Sequence, residues 1–228
     1  PFNRYMEPIP LEGSLAGRRK YRIRAYAVDS LGNRSAEMTP FDIIVDKSSV
    51  YAAEGGKAGA TGTPDSPYGT LDEAILAALR TGRRFIYVRG TVPLRNPVSI
   101  RNPLTIMGGF DDSWNESSQG MARLSCSTLD GGSVFVVEQT DFELKNLRIE
   151  HTGTGSHTLI DAREGSVTIG HSNLSSVGGV ELSVIRAVGS TVRVDTAEIT
   201  VGSALTARFL DMTDGTLKLT SSSLKASP

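Results

Sequence analysis

The chain has 228 residues, enough for one large domain or two modest ones, and its 24 lysines and arginines nearly balance 25 aspartates and glutamates. This balance disfavours a nucleic-acid binder, which needs a basic surface to neutralise phosphates. No apolar run reaches the roughly 18 residues of a membrane span, and the single cysteine, Cys126, excludes an intrachain disulfide. The sequence opens at Pro1 without an initiator methionine or a signal-like stretch, so we expect a piece of a longer polypeptide.

Residues 1–48 are predicted to hold a few short strands. Period-two alternation indicates strands at residues 21–27 and 41–45, and the prolines at residues 8–11 indicate an edge strand. Because a sandwich domain needs about seven strands, we expect the C-terminal half of an immunoglobulin-like module. The run YRIRAYAVDSLGNRS at residues 21–35 resembles the last strands of chitobiase/hexosaminidase C-terminal-type modules of bacterial surface proteins. That resemblance implies a spacer or accessory role.

A helix is predicted where a loop rich in glycine and proline ends. Thr70 and Glu73 form a capping box, an apolar stripe follows at helical spacing, and Gly82 has the place of a C-terminal capping residue. The sequence therefore predicts an amphipathic helix over residues 71–80. We expect it to cap the N-terminal end of the domain that follows.

The entry to the second domain carries a family pattern. Short strands between Gly, Pro and Asn breaks are predicted at residues 85–88, 98–100 and 104–107. The segments GTPDSPYGTLDEA at 62–74, IYV at 86–88 and IMGGFDDSW at 106–114 together resemble the opening of right-handed parallel β-helix proteins of the pectate-lyase-like group, in particular a bacterial surface branch. The resemblance implies a right-handed parallel β-helix over residues 49–228 and an extracellular, cell-surface or periplasmic location.

A 25-residue repeat predicts the fold class without any resemblance. Apolar residues recur at this step in three columns: Phe142, Val167, Val192 and Leu217; Leu144, Ile169, Val194 and Leu219; Ile149, Leu174, Ile199 and Leu224. Their alternation with polar residues indicates strands, and the fixed period indicates a stacked solenoid. We predict an all-β parallel β-helix with two or three strands per coil. Each inward side chain then lies about 4.8 Å from its equivalent in the next coil.

The repeat is still in register at residues 217–224, with no capping pattern after it. Unpaired strand edges invite association, so we expect further sequence or another chain to cover this edge. The partners expected for the module are a glycan or a host or extracellular protein, with no nucleic acid and no membrane span.

Candidate binding residues lie where outward positions recur. One such column consists of Val136, Asp161, Arg186 and Asp211, which stacks an arginine between two aspartates. The column has two interpretations: a patch that binds a cation or a sugar, or an exposed charge ladder worth about 0–1 kcal/mol per pair. We favour the ladder. No outward column gathers the three carboxylates of a tight Ca²⁺ site.

A second acidic candidate is Asp111–Asp112 beside Trp114. Two carboxylates about 5–10 Å apart would suit a glycosidase, whereas adjacent aspartates in a glycine-rich loop usually form turns, and we favour the turn. His151 and His157 are predicted to make no convergent site. No phosphate loop, nucleophile elbow or His-Glu-x-x-His motif is present, so no catalytic residue is predicted.

Two other side chains are expected to be inert. His171 falls in a different column from the other two histidines and is expected at a corner, where polar side chains bond the backbone. Cys126 has no histidine partner at a recognised spacing, and we expect a small buried residue rather than a nucleophile.

The leading functional hypothesis is a non-catalytic bacterial cell-envelope or surface module, a rigid stalk for adhesion or glycan binding. The alternative is a polysaccharide lyase or glycosidase, the one setting in which we expect a Ca²⁺ cofactor. Enzymes of this fold build clefts from long loops. The coils at 134–224 contain none, and only residues 110–127 are long enough to overhang a groove.

Overall fold

The computed structural model describes residues 18–57, 59–117, 120–128 and 132–227. The edge strand predicted at residues 8–11 lies outside the described residues. The chain divides into two compact units, residues 1–49 and 50–228. Within the described ranges, no helix combines the length and the apolar composition needed to cross a membrane.

The first unit shows one antiparallel strand pair, β1 (Arg18–Ile23) with β2 (Phe41–Asp46). β1 ends four residues before the predicted end, because the chain from residue 24 onward pairs with the residues that follow the turn instead of with β2. Ser35 N and Met38 N donate to the carbonyls of Ala27 and Ala25. The described part of this unit thus contains a hairpin, and the immunoglobulin-like assignment stays a prediction.

The second unit consists almost entirely of short strands. In chain order its elements are β3 (Ser49–Ala53), α1 (Leu71–Thr81), β4 (Phe85–Arg89), β5 (Thr91–Leu94), β6 (Val98–Ile100), β7 (Leu104–Met107), β8 (Ala122–Thr128), β9 (Ser133–Glu138), β10 (Asp141–Lys145), β11 (Leu147–Gly153), β12 (Ser156–Arg163), β13 (Ser166–Gly170), β14 (Asn173–Val177), β15 (Glu181–Val188), β16 (Thr191–Asp195), β17 (Glu198–Gly202), β18 (Thr206–Thr213), β19 (Thr216–Thr220) and β20 (Ser223–Ser227).

From β4 onward, every third strand joins the same sheet. The sheet orders are β19-β16-β13-β10-β7-β4-β3, β20-β17-β14-β11-β8-β5 and β18-β15-β12-β9-β6. The strand pairs from β4 to β20 are parallel. This is a parallel β-helix with three strands per coil, which confirms the predicted fold class.

The predicted interior columns are present in the strand register. Phe142 pairs with Val167, Val167 with Val192, and Val192 with Leu217. The first three are buried, and Leu217 in the last coil is 40% exposed. Because burying such a side chain contributes about 1.5–3 kcal/mol, each coil is stabilised mainly by the coils on either side of it.

The corners of the coils repeat as regularly as the strands. Left-handed backbone recurs at the 25-residue step in one set with φ of 48° to 52°, formed by Asn146, His171, Thr196 and Ser221. The positions just after this set hold Leu147, Ser172, Ala197 and Ser222, and the serines among them bond the backbone of two coils. Ser172 Oγ accepts a hydrogen bond from Leu147 N at 3.2 Å and donates to the Gly170 carbonyl at 2.8 Å, so one hydroxyl links two coils.

Helix α1 confirms the predicted helix and extends it by one residue. The Thr70 hydroxyl accepts a hydrogen bond from Glu73 N at 3.3 Å, and Gly82 at φ 66° ends the helix. Its buried side chains contribute to the core of the solenoid, and the helix packs against β4 and β5 of the first coil. The expected place of the helix at the N-terminal end of the solenoid is thus observed.

The sequence did not predict three of the strands: β3, β5 and β8. β5 contains Pro93, which lacks an N–H for a ladder, and β5 accordingly lies at the edge of its sheet. β8 takes up residues 122–128 of a segment predicted as a long loop. The overhang available above the solenoid is therefore shorter than expected.

The interior stack predicts a contrast between two leucines of one column. Leu144 is fully buried, whereas Leu219 in the last coil is 46% exposed. We expect Leu144→Ala to lower the free energy of unfolding by about 2–5 kcal/mol, and Leu219→Ala to lower it by clearly less. Urea denaturation followed by circular dichroism measures both. Equal losses in the two variants would contradict the stacked architecture.

Candidate functional site

A polar groove of about 200 Å³ runs across the outward face of the five-stranded sheet. We define this polar groove by the residues that line it in neighbouring coils: Ser133, His157, Thr158, Glu181, Ser183, Arg186, Arg208 and Asp211. They come from β9, β12, β15 and β18, whose parallel pairing places equivalent positions side by side. The polar groove is therefore a product of the repeat and not of an inserted loop.

Three hydroxyls form one wall of the polar groove. Thr158 pairs in register with Ser133 and with Ser183, and the next coil continues this column with Arg208. Thr158 and Ser183 are 8% and 9% exposed. Among the described residues, no side-chain hydrogen bond engages either hydroxyl, so both remain available to a bound molecule.

The predicted charge column lies beside the hydroxyls, and its members differ in environment. Asp161 pairs in register with Arg186, and Arg186 with Asp211. The Asp161 side chain is only 3% exposed: Oδ2 accepts a hydrogen bond from Arg163 Nη2 at 2.7 Å, and Oδ1 lies 3.6 Å from Arg186 Nε. A buried carboxylate requires such partners. Asp161 therefore anchors two arginines, while Arg186 and Asp211 line the polar groove.

The chemistry of the polar groove suits a hydroxylated ligand. Hydroxyls donate and accept, guanidinium groups donate in fixed directions, and carboxylates accept. Equivalent groups recur at about the 4.8 Å spacing of neighbouring strands. Within the described part of the chain, no group of three His, Cys, Asp or Glu side chains is placed to hold a metal ion.

The second set of candidates lies in the loop between β7 and β8, and none of its members lines the polar groove. Asp111 Oδ1 accepts hydrogen bonds from Ser113 N at 2.9 Å and Asn115 N at 2.8 Å, which makes it the cap of a turn. The Asp112 side chain is fully exposed, and its carbonyl accepts a hydrogen bond from Arg89 at 2.6 Å. This geometry agrees with the favoured turn interpretation.

Trp114 is a packing residue in this structure. It is 3% exposed, its Nε1 donates to the Pro64 carbonyl at 3.0 Å, and its ring meets Tyr51 edge-on at 4.8 Å between ring centroids. The Arg89 guanidinium lies over its ring at 4.8 Å. A ring enclosed in this way offers no open face for stacking a sugar.

The prediction that His151 and His157 do not converge is wrong. The sequence predicted no convergence, yet His151 and His157 pack edge-on with 4.8 Å between ring centroids, and both are buried. They lie at the end of β11 and the start of β12, on the two sides of one tight turn. The 25-residue repeat does not predict this contact, because the repeat relates equivalent positions of different coils, whereas a turn joins non-equivalent positions of one coil.

Two glycines make room for the His157 ring. A Cβ atom added at Gly153 would lie 2.6 Å from the ring, and one added at Gly179 would lie 2.7 Å from Cε1. Neither ring nitrogen makes a hydrogen bond of normal geometry among the described residues. Burial lowers the pKa of His157, and the Gly155 backbone offsets this only in part. His157 also lines the polar groove.

His151 belongs to an interior polar column that sequence analysis also missed. It pairs in register with Cys126 on one side and Ser176 on the other, at the same 25-residue step. His151 Nδ1 and the Ser176 hydroxyl share a hydrogen bond of 2.7 Å. Burial, with a contribution from His157, lowers the pKa of His151 to about 4. Cys126 thus has a histidine neighbour, contrary to expectation, and the repeat step was the signal that would have found it.

Cys126 is nevertheless the small buried residue that was expected, with 7% of its surface exposed. Burial raises its pKa to about 12, and its thiol donates to the Glu150 carbonyl at 3.6 Å. A thiol at that pKa is neutral at physiological pH and has no nucleophilic character.

The pKa of His151 predicts an acid-dependent loss of stability. Its ordinary pKa is 6.5, so between pH 6.5 and about 4 the unfolded chain binds more protons than the folded chain. Stability is therefore complete above pH 6.5 and decreases as pH falls, by up to about 1.4 kcal/mol per pH unit for this residue. Urea denaturation across this range measures the slope.

We expect a shallower slope in His151→Gln and an unchanged slope in His171→Gln, because His171 is exposed at a corner. The same slope in wild type and His151→Gln would contradict the assignment.

Comparison with known proteins found no match: no family model, no curated protein and no solved structure is similar to this chain. The parallel β-helix therefore stands on its own strand register. The resemblances to pectate-lyase-like proteins and to immunoglobulin-like modules remain interpretations of sequence motifs.

Proposed function

We propose that this chain is a non-catalytic module of a bacterial cell-envelope or surface protein, in which the β-helix is a rigid stalk and the polar groove binds a glycan. One observation carries the proposal: the column of Ser133, Thr158 and Ser183 hydroxyls runs beside Arg186 and Asp211. A glycan presents many hydroxyls in a regular series, and this face presents complementary polar groups in a regular series.

The state of the carboxylates favours binding over catalysis. An acid or base catalyst has to reach the substrate, but Asp161 is buried under Arg163 and Arg186, and Asp111 is engaged by the backbone of its own turn. The exposed carboxylate of Asp112 lies in that same turn, away from the polar groove. Of the four aspartates predicted as candidates, Asp211 alone lines the polar groove, whereas a glycosidase uses a pair of carboxylates. The parallel bonding of successive coils along three sheets supports a rigid stalk.

The proposal predicts that affinity depends on the polar groove and not on surface charge in general. Arg186→Ala should weaken binding of a glycan, found in an array screen, by about tenfold or more, because a hydrogen bond from a charged donor contributes about 1.5–3 kcal/mol. Arg193→Ala is the matched control, since Arg193 is exposed on the seven-stranded sheet. Isothermal titration calorimetry measures both.

Because Arg186 also contacts the buried Asp161, a second pair of variants separates binding from folding. Thr158→Val removes one hydroxyl at constant shape and should weaken binding, whereas Thr168→Val on the seven-stranded sheet should not. If all four variants bind as the wild type does, the polar groove is not the site.

A polysaccharide lyase or glycosidase is the alternative outcome of the same screen. Incubation with acidic polysaccharides, with and without Ca²⁺, would then yield shortened or unsaturated products. Turnover that disappears in Asp161→Ala or Arg186→Ala would replace the binding proposal with an enzyme. Binding without turnover supports the module.

A further inference from the structure

The His151–His157 pair lies directly behind one end of the polar groove. His157 lines the polar groove and its ring packs against His151, which is enclosed between Cys126 and Ser176 of the adjacent coils. The ring of His157 also lies against the turns of two successive coils, through Gly153 and Gly179. The pair therefore connects the interior of the solenoid to the proposed binding surface.

We infer that the His151–His157 pair makes the polar groove acid-sensitive: when the pair takes up a proton, the turns at residues 153–156 and 178–181 open locally and the bound ligand is released. The release of a ligand rests on the proposed function, whereas the opening of the turns does not. In this role the histidine pair regulates the polar groove and is not itself a ligand-binding group.

Protonation is unfavourable while the turns are closed for two reasons. Among the described residues, neither ring nitrogen of His157 has a hydrogen-bond partner of normal geometry, and the Gly155 backbone offsets the effect of burial only in part. A charge on either ring would also face the other ring at 4.8 Å between centroids. Once the turns open, water solvates both rings and this cost disappears. Proton uptake and opening are therefore coupled.

The two residues in register with His151 carry no charge. The neighbours of His151 in register are the Cys126 thiol, which is neutral because burial raises its pKa to about 12, and the Ser176 hydroxyl. The charged groups near His157 are those that line the polar groove with it: Glu181, Arg186, Arg208 and Asp211. Two are cations and two are anions, so their charges balance.

The two turns are linked, so a change at one affects the other. Val180 N donates a hydrogen bond to the Gly155 carbonyl at 2.8 Å, which ties the turn before β15 to the turn before β12. β12 and β15 supply Thr158, Ser183 and Arg186 to the polar groove. Displacing His157 thus disturbs the strand starts that shape the proposed site.

Hydrogen exchange followed by mass spectrometry tests the opening without any ligand. Wild-type protein is compared at pH 7 and about pH 4.5, with rates normalised to an unstructured peptide at each pH. If opening is linked to the uptake of one proton, its equilibrium constant increases up to tenfold for each pH unit below 6.5. The normalised exchange rates of peptides spanning 151–158 and 176–183 should therefore be up to about 100-fold higher at the lower pH. Peptides of the seven-stranded sheet should not follow them.

The variants decide whether the pair is responsible. His157→Gln removes one of the two titrating rings and should clearly weaken the acid response of these peptides, while His171→Gln should retain it in full. An unchanged response in His157→Gln, or no acid response in the wild type, would overturn the inference. Should His157→Gln fail to fold, NMR titration of the wild type replaces it. His151 and His157 resonances that titrate at the ordinary pKa of 6.5 refute the inference. His151 and His157 resonances that titrate well below 6.5, together with the Thr158 and Ser183 amides, support it.

Glycan binding is measured separately over the same pH range. Loss of binding at low pH in the wild type, and a clearly smaller loss in His151→Gln, whose side chain does not line the polar groove, supports release. Binding that is equally strong at both pH values while the turns open would refute release. If no glycan binds at any pH, the proposed function fails, and the exchange experiment still decides on the opening.

Discussion

Parallel hydrogen-bonded register is the interaction on which this structure depends. From β8 onward, each strand of one coil lies beside the strand 25 residues later, so that Phe142, Val167 and Val192 occupy a single interior column. Backbone bonding sets the distance between coils, and the apolar columns supply the free energy that keeps the coils together. Neither backbone hydrogen bonding nor apolar burial is available to a single coil, because it has no partner for its backbone groups and no complete core.

The same register determines how polar groups are accommodated in the interior. A polar side chain inside the solenoid must find its partner in an adjacent coil or in its own corner. Ser172 and Ser190 do this by accepting from the backbone of one coil and donating to that of another, and His151 does it through Ser176. Among the described residues, the ring nitrogens of His157 have no hydrogen-bond partner of normal geometry, and His157 is the buried histidine that lines the polar groove. The same histidine pair therefore affects both the stability of the solenoid and the proposed acid response of the polar groove.

The polar groove shows how a repeat creates a surface. Stacking converts one outward position into a row of side chains, and the row changes in chemistry from hydroxyls at Thr158 and Ser183 to a guanidinium at Arg208. Position along the row also changes burial: Asp161 is enclosed by two arginines, whereas Asp211 is partly exposed. Equivalent positions in the repeat are therefore equivalent in direction but not in environment.

The sequence by itself determined the class of fold, the columns and the capping helix, because these follow from periodicity and from local capping at Thr70 and Gly82. It also placed Asp161, Arg186 and Asp211 in one row. Only the tertiary structure decided that Trp114 is buried and that His151 contacts His157. Both outcomes depend on how loops and turns bend between strands, and that bending brings together residues that share no period.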